Sequence, residues 1–187
     1  MDHSIGTVRR AFGLFFISIA IGVAIAASLT EIAFRYHAAN YFYPIIWIGI
    51  LAGTISAFTF RNPHMFKAIR GRFTQSVKWS LGMKIVCGVC WAVPFALIPV
   101  FPNYYSYFIL LGIGLGNTST YLITRKASGL SFSEQLMVGA ISLSSLPVII
   151  LLGSTYALSD DMLQFLARLF IASAYGVGGA YTFQLEV

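Results

Sequence analysis

The chain has 187 residues, of which 58% are hydrophobic and only 10% charged, with a mean hydropathy of +0.80. About a quarter of the residues of a soluble domain are charged, so this composition excludes an ordinary soluble globule and indicates a membrane protein. The formal net charge of +6 does not point to nucleic acid. The cations sit in short segments beside long apolar runs, where they orient spans and meet anionic lipid headgroups.

The first apolar run covers about residues 11–30, behind Arg9 and Arg10. Ala24-Ile25-Ala26 resembles a signal-peptide cleavage site. The run is longer than the roughly 7–15 residues of a signal core, however, and more apolar sequence follows, so it is read as a retained span. Five further spans are predicted at about 41–60, 85–101, 104–124, 135–159 and 162–183. Each approaches the roughly 20 residues needed to cross about 30 Å of hydrocarbon. Backbone groups in lipid must satisfy one another, and no alternating barrel pattern is present, so the predicted fold is an all-α polytopic helical bundle forming one transmembrane domain.

Charge sets its orientation. Residues 61–84 carry Arg61, Lys67, Arg70, Arg72, Lys78 and Lys84, six of the twelve Lys and Arg, and no acid. A basic segment between apolar runs stays cytoplasmic, which predicts both termini inside. Arg9, Arg10, Arg125 and Lys126 then fall on the same side, whereas Arg35 alone falls in an outer loop. Tyr36, Tyr41, Tyr43, Trp47, Tyr104, Tyr105 and Tyr156 gather at the predicted outer interface. Asn62-Pro63 reads as a helix start, and Phe66, Ile69, Phe73 and Val77 recur at helical spacing. The basic loop is therefore expected to form an interfacial amphipathic helix. Its Lys67, Arg70, Arg72 and Lys78 would face anionic headgroups or a soluble partner.

Close packing in lipid relies on small residues. Ala20, Ala24 and Ser28 make such a stripe in the first span; Gly49 and Gly53 make one in the second, Gly112 and Gly116 in the fourth, and Ala172, Gly176 and Ala180 in the sixth. These are read as contacts within the bundle or with another membrane protein or a second copy. Pro94, Pro99 and Pro147 are expected to bend their helices.

Two groups of residues suggest a solute site. Arg168 is the one cation well inside a span, and a buried arginine usually faces protein or water. Asp161, Gln164 and Arg168 share a helical face, and Glu31 is the expected acidic partner from the first span, where it also stands i,i+4 from Arg35 in a favourable order, the carboxylate N-terminal to the cation. This group reads as an outer gate or anion site; the plainer alternative is an arginine snorkelling to outer headgroups. Deeper in, a rise of about 1.5 Å per residue places Ser18, Ser56, Cys90, Asn117, Ser142 and Tyr175 at one depth, roughly 8–10 Å above the inner surface. Such a layer suits a neutral polar solute, although hydroxyls in spans commonly bond back to their own helix.

Other chemistry finds no support. Cys87-Gly88-Val89-Cys90 has no second pair and no adjacent His or acid to complete a metal site. His3, His37 and His64 lie outside the spans, no lysine lies inside one, and no acid is predicted in the membrane interior. No cofactor, metal or catalytic residue is expected. The chain is read as a multi-span transport protein or solute-binding subunit of the cell membrane, for a polar or anionic solute. The rival reading is a non-catalytic accessory subunit of a larger membrane complex.

Overall fold

The computed structural model describes residues 5–39, 41–67, 69, 79–129 and 131–184, and no strand occurs among them. Six long helices follow in order: α1 (Ile5–Arg35), α2 (Phe42–Arg61), α3 (Leu81–Leu97), α4 (Tyr105–Ser128), α5 (Ser133–Thr155) and α6 (Asp160–Gln184). A short 3-10 turn, Pro102–Tyr104, precedes α4. Four of these helices, α1, α2, α5 and α6, are long and apolar enough to cross a membrane. The other two differ for separate reasons. The 17 residues of α3 rise only about 25 Å at 1.5 Å each. In α4 the run Asn117-Thr118-Ser119-Thr120 makes the middle of the helix polar.

Local chemistry sets the helix ends. The Ser80 side chain accepts from the Met83 N–H at 3.3 Å and starts α3. Ser159 does the same for Met162 at 3.4 Å before α6, whose first turn carries Asp160 and Asp161 toward the positive end of the helix dipole. α4 ends on Gly129 in the left-handed conformation (φ 68°), with basic Arg125 and Lys126 in its last turn. Asn62 serves two helices. Its side-chain amide donates to the Phe58 carbonyl at 3.2 Å and closes α2, while its backbone carbonyl accepts from the Phe66 N–H at 3.0 Å where the next helix starts, as expected of Asn62-Pro63. Residues 63–67 are helical, with Lys67 exposed. Arg70, Arg72 and Lys78 lie outside the described residues.

The helices pack in the order α2, α1, α6, α5, α4, α3, with a further contact between α4 and α6. α1 and α6 form the most extensive pair, and they run antiparallel, as the pairing of residue 13 with 179 and of 20 with 176 shows. The close approach falls one residue away from the predicted stripe. Gly179, not Ala180, sits on the α1 backbone, and a Cβ there would lie 2.7 Å from the Gly13 carbonyl oxygen. Gly178, on the neighbouring face, admits Val138 of α5. On α4 the glycines serve two neighbours: Gly112 and Gly116 accommodate Phe95 and Trp91 of α3, and Gly114 accommodates Leu143 of α5. Gly49 and Gly53 of α2 and Gly88 of α3, by contrast, face open space. Pro94 and Pro147 lie inside continuous helices.

Outward faces carry exposed Ile21, Ile48, Ile85, Val89, Ile150 and Val177. Scattered exposed apolar residues are normal in any protein, but belts of them around every flank suit a hydrocarbon surround.

Candidate functional site

The C-terminal end of α1 and the N-terminal ends of α2, α4 and α6 enclose a cleft of about 400 Å³. α1 contributes Thr30, Glu31 and Phe34; α2 contributes Tyr43, Pro44 and Trp47; α4 contributes Tyr105; α6 contributes Asp161, Gln164 and Arg168. The structure thus brings together Glu31, Asp161, Gln164 and Arg168, the four residues singled out at this end. α6 presents its three at positions i, i+3 and i+7, which share one helical face.

Of the two pairings expected of Glu31, the one with Arg35 forms and the one with Arg168 does not. One carboxylate oxygen of Glu31 accepts from Arg35 Nε at 3.1 Å, four residues along the same helix. The Arg168 guanidinium lies between two rings, its central carbon 5.7 Å from the Trp47 centroid and 5.2 Å from that of Tyr105. Ring faces attract a cation by about 0.5–2 kcal/mol, more as water is removed. Arg168 Nη2 donates a long hydrogen bond of 3.4 Å to Gln164 Oε1. Its Nε is buried and has no partner among the described residues. A guanidinium has five N–H donors, so most of its hydrogen-bonding capacity is unused here. Trp47 and Tyr105 were legible only as interfacial aromatics, since their role depends on two helices meeting α6.

The polar layer expected at one depth divides into two parts. Asn117 and Tyr175 are buried and joined: Asn117 Nδ2 donates to Tyr175 Oη at 3.3 Å and to the Ile113 carbonyl of its own helix at 2.9 Å. Ser142 is fully buried, and its hydroxyl has no partner among the described residues. Ser18 bonds back to the Leu14 carbonyl at 2.9 Å, whereas Ser56 is exposed and Cys90 half-buried. Ser119 and Thr120 both return to the Gly116 carbonyl, at 3.0 and 2.7 Å. Thr120 Oγ1 also accepts from Trp91 Nε1 at 3.1 Å and lies 3.4 Å from Cys87 Sγ. The CxxC segment therefore packs on the polar face of α4, with both thiols free, and no group of metal ligands forms among the described residues. Two further clefts, each of about 370 Å³, lie between α1 and α2 near Arg61 and between α3 and α4 near Lys126. Neither these nor the cleft at Arg168 is lined by Asn117, Ser142 or Tyr175.

The chain matches no family model, no curated protein and no solved structure. Its chemistry therefore has to be read from its own residues.

One buried acid escaped the sequence reading, which placed no carboxylate in the interior. Glu134, in the first turn of α5, is 0% exposed, and neither carboxylate oxygen has a partner among the described residues. It lies four residues before buried Val138 and eight before Ser142, on the same packed face. Its backbone carbonyl lies close to Gly178. Its position one residue ahead of the predicted span made it look like a loop residue. The four-residue spacing to Val138 and Ser142 was the available signal. Nearby, this end of the bundle is tied by polar contacts: Arg9 Nη2 donates to the Ser131 carbonyl at 3.3 Å, and Tyr121 Oη accepts from Arg125 Nη1 at 3.2 Å and from Ser131 Oγ at 3.4 Å.

Proposed function

We propose that this chain is a multi-pass protein of the cell membrane, with six spans and both termini cytoplasmic, that binds and moves a polar or anionic small solute through its outer cleft. The observation that carries this reading is Arg168. It is half-buried in a cleft, held between two aromatic rings, and forms no ion pair among the described residues. An arginine that served only to reach outer headgroups would have no need of a walled cleft 400 Å³ in volume. Small-molecule sites commonly span about 300–1,000 Å³ and combine apolar walls with a few convergent polar groups, as this one does. The reading includes no catalytic step, cofactor or metal. The partners it implies are the lipid bilayer, with anionic headgroups at Lys67, Arg70, Arg72 and Lys78, and the solute.

Native mass spectrometry of the detergent-purified protein tests it. The wild type should retain a small molecule that R168Q loses. A stripped wild-type monomer that shows no small-molecule adduct under gentle activation would remove the basis for a solute site.

The second reading, a non-catalytic accessory subunit of a larger membrane complex or a homo-oligomer, is favoured by the open faces at Gly49, Gly53 and Gly88. Glycine at a lipid-facing position contributes little to the packing of this chain alone, and it permits another helix to approach closely. In the same experiment this reading predicts a co-purifying protein chain or a defined multiple of the monomer mass.

A further inference from the structure

The solute reading leaves the charge of the ligand open between neutral, polar and anionic, and the cleft itself narrows that choice. Its wall carries one cation, Arg168, and two carboxylates, Glu31 and Asp161. Glu31 is tied to Arg35 by the 3.1 Å contact, but Asp161 makes no hydrogen bond or ion pair among the described residues, and neither acid pairs with Arg168. Opposite charges thus face one space without neutralising each other. A simple anion would meet Arg168 but also two carboxylates, and a simple cation would meet the acids but also a caged guanidinium. Both pay repulsion that a molecule carrying one charge of each sign avoids.

We infer that the outer cleft takes a zwitterionic solute. Its carboxylate is received by the unused N–H donors of Arg168, its ammonium group lies toward Asp161 and Glu31, and its apolar body rests against Trp47 and Tyr105. The geometry suits such a division of labour. Arg168 and Asp161 are seven residues apart on one face of α6, about 10 Å along the axis, and the reach of the two side chains shortens that to the length of a small molecule. Gln164 lies between them, with its Oε1 turned to Arg168, which leaves its amide nitrogen to serve a carboxylate or carbonyl of the solute. The cage keeps the guanidinium from collapsing onto the acids, so the site is held open before a ligand arrives. This inference rests on the proposed solute site and specifies its substrate class.

The test uses three molecules that share one body: L-phenylalanine, 3-phenylpropionate, which lacks the ammonium group, and phenethylamine, which lacks the carboxylate. Binding of each to the purified full-length protein in detergent is measured by isothermal titration calorimetry at neutral pH. The zwitterion should bind at least about tenfold more tightly than either single-charge analogue. R168Q should erase the preference over phenethylamine, and E31Q/D161N should erase the preference over 3-phenylpropionate. These are ratios within one protein preparation, so a general loss of folded protein does not imitate them, and the wild-type ratios stand even where a variant fails to fold. If 3-phenylpropionate binds as well as L-phenylalanine, the zwitterion inference fails and the anion-site reading survives. If phenethylamine binds best, the assignment of Arg168 as a ligand-facing group fails. If none of the three binds, the solute site itself is overturned.

Discussion

Gly179→Ala tests whether the α1–α6 contact organises this protein, because both helices carry walls of the outer cleft. A Cβ at residue 179 would lie 2.7 Å from the Gly13 carbonyl oxygen, 2.8 Å from Ile17 Cγ1 and 3.0 Å from the Ile17 backbone nitrogen, whereas ordinary contact begins near 3.4 Å. The shortfall against the carbonyl is 3.4 − 2.7 = 0.7 Å. Two of the three obstructing atoms belong to backbone and cannot rotate aside, so the helices must separate. Overpacking of this kind costs about 1–3 kcal/mol. Replacing glycine by alanine within a helix also contributes up to about 1 kcal/mol in favour of the helix, and that part has to be removed. Gly49→Ala supplies the correction, since nothing lies within 4 Å of a Cβ at that position. G49A should therefore be neutral or slightly stabilising, and G179A should be less stable than G49A by about 1–3 kcal/mol. Reversible unfolding of both variants in mixed micelles, followed by far-ultraviolet circular dichroism, measures the difference. Equal stabilities for G179A and G49A would refute the claim that α1 and α6 meet backbone to backbone.

Further expectations follow from other contacts. Tyr175→Phe removes the hydroxyl that accepts from Asn117, while the amide keeps its 2.9 Å bond to the Ile113 carbonyl. Interhelical hydrogen bonds in membrane proteins average about 0.6 kcal/mol, so Y175F should lose about that much in the same unfolding assay, and a loss several times larger would contradict the bonding described. Glu134→Gln should leave stability unchanged or raise it, because the buried carboxylate has no hydrogen-bond partner among the described residues and its desolvation outweighs the attraction of Arg9. A fall of more than about 1 kcal/mol would instead signal a removed partner. Reporter fusions at residue 70 and after Gln184 should both report the cytoplasm; either one outside would reverse the proposed orientation.

Much of the architecture was legible in the chain. Six long apolar stretches separated by turn residues became six helices, as expected where an apolar run such as Phe42–Arg61 finds no water and must satisfy its backbone within itself. Boundaries shifted by several residues, as when α1 extended to Ile5–Arg35, because helices continue past the apolar run wherever no cap stops them. The gathering of Asp161, Gln164 and Arg168 was legible as well, since helical periodicity alone aligns them.

Relations between helices were not legible. The Glu31–Arg35 pair, four residues apart on α1, was legible from helical spacing, but that Trp47 and Tyr105 take Arg168 depends on where α2 and α4 stand around α6, and no local pattern encodes that placement. The same holds for Gly179 over Ala180, where a rotation of one residue about the helix axis, about 100°, decides which small residue meets the neighbour. Glu134 makes the point most sharply. Its neighbours in sequence look like loop, and only the packing of α5 against its neighbours in the bundle, α6 among them, withdraws its carboxylate from water. Composition and periodicity fix which segments leave water and which residues share a helical face, because both are properties of a single helix. Which side chains finally meet is set by how six such helices rotate and close on one another, and that depends on every contact at once.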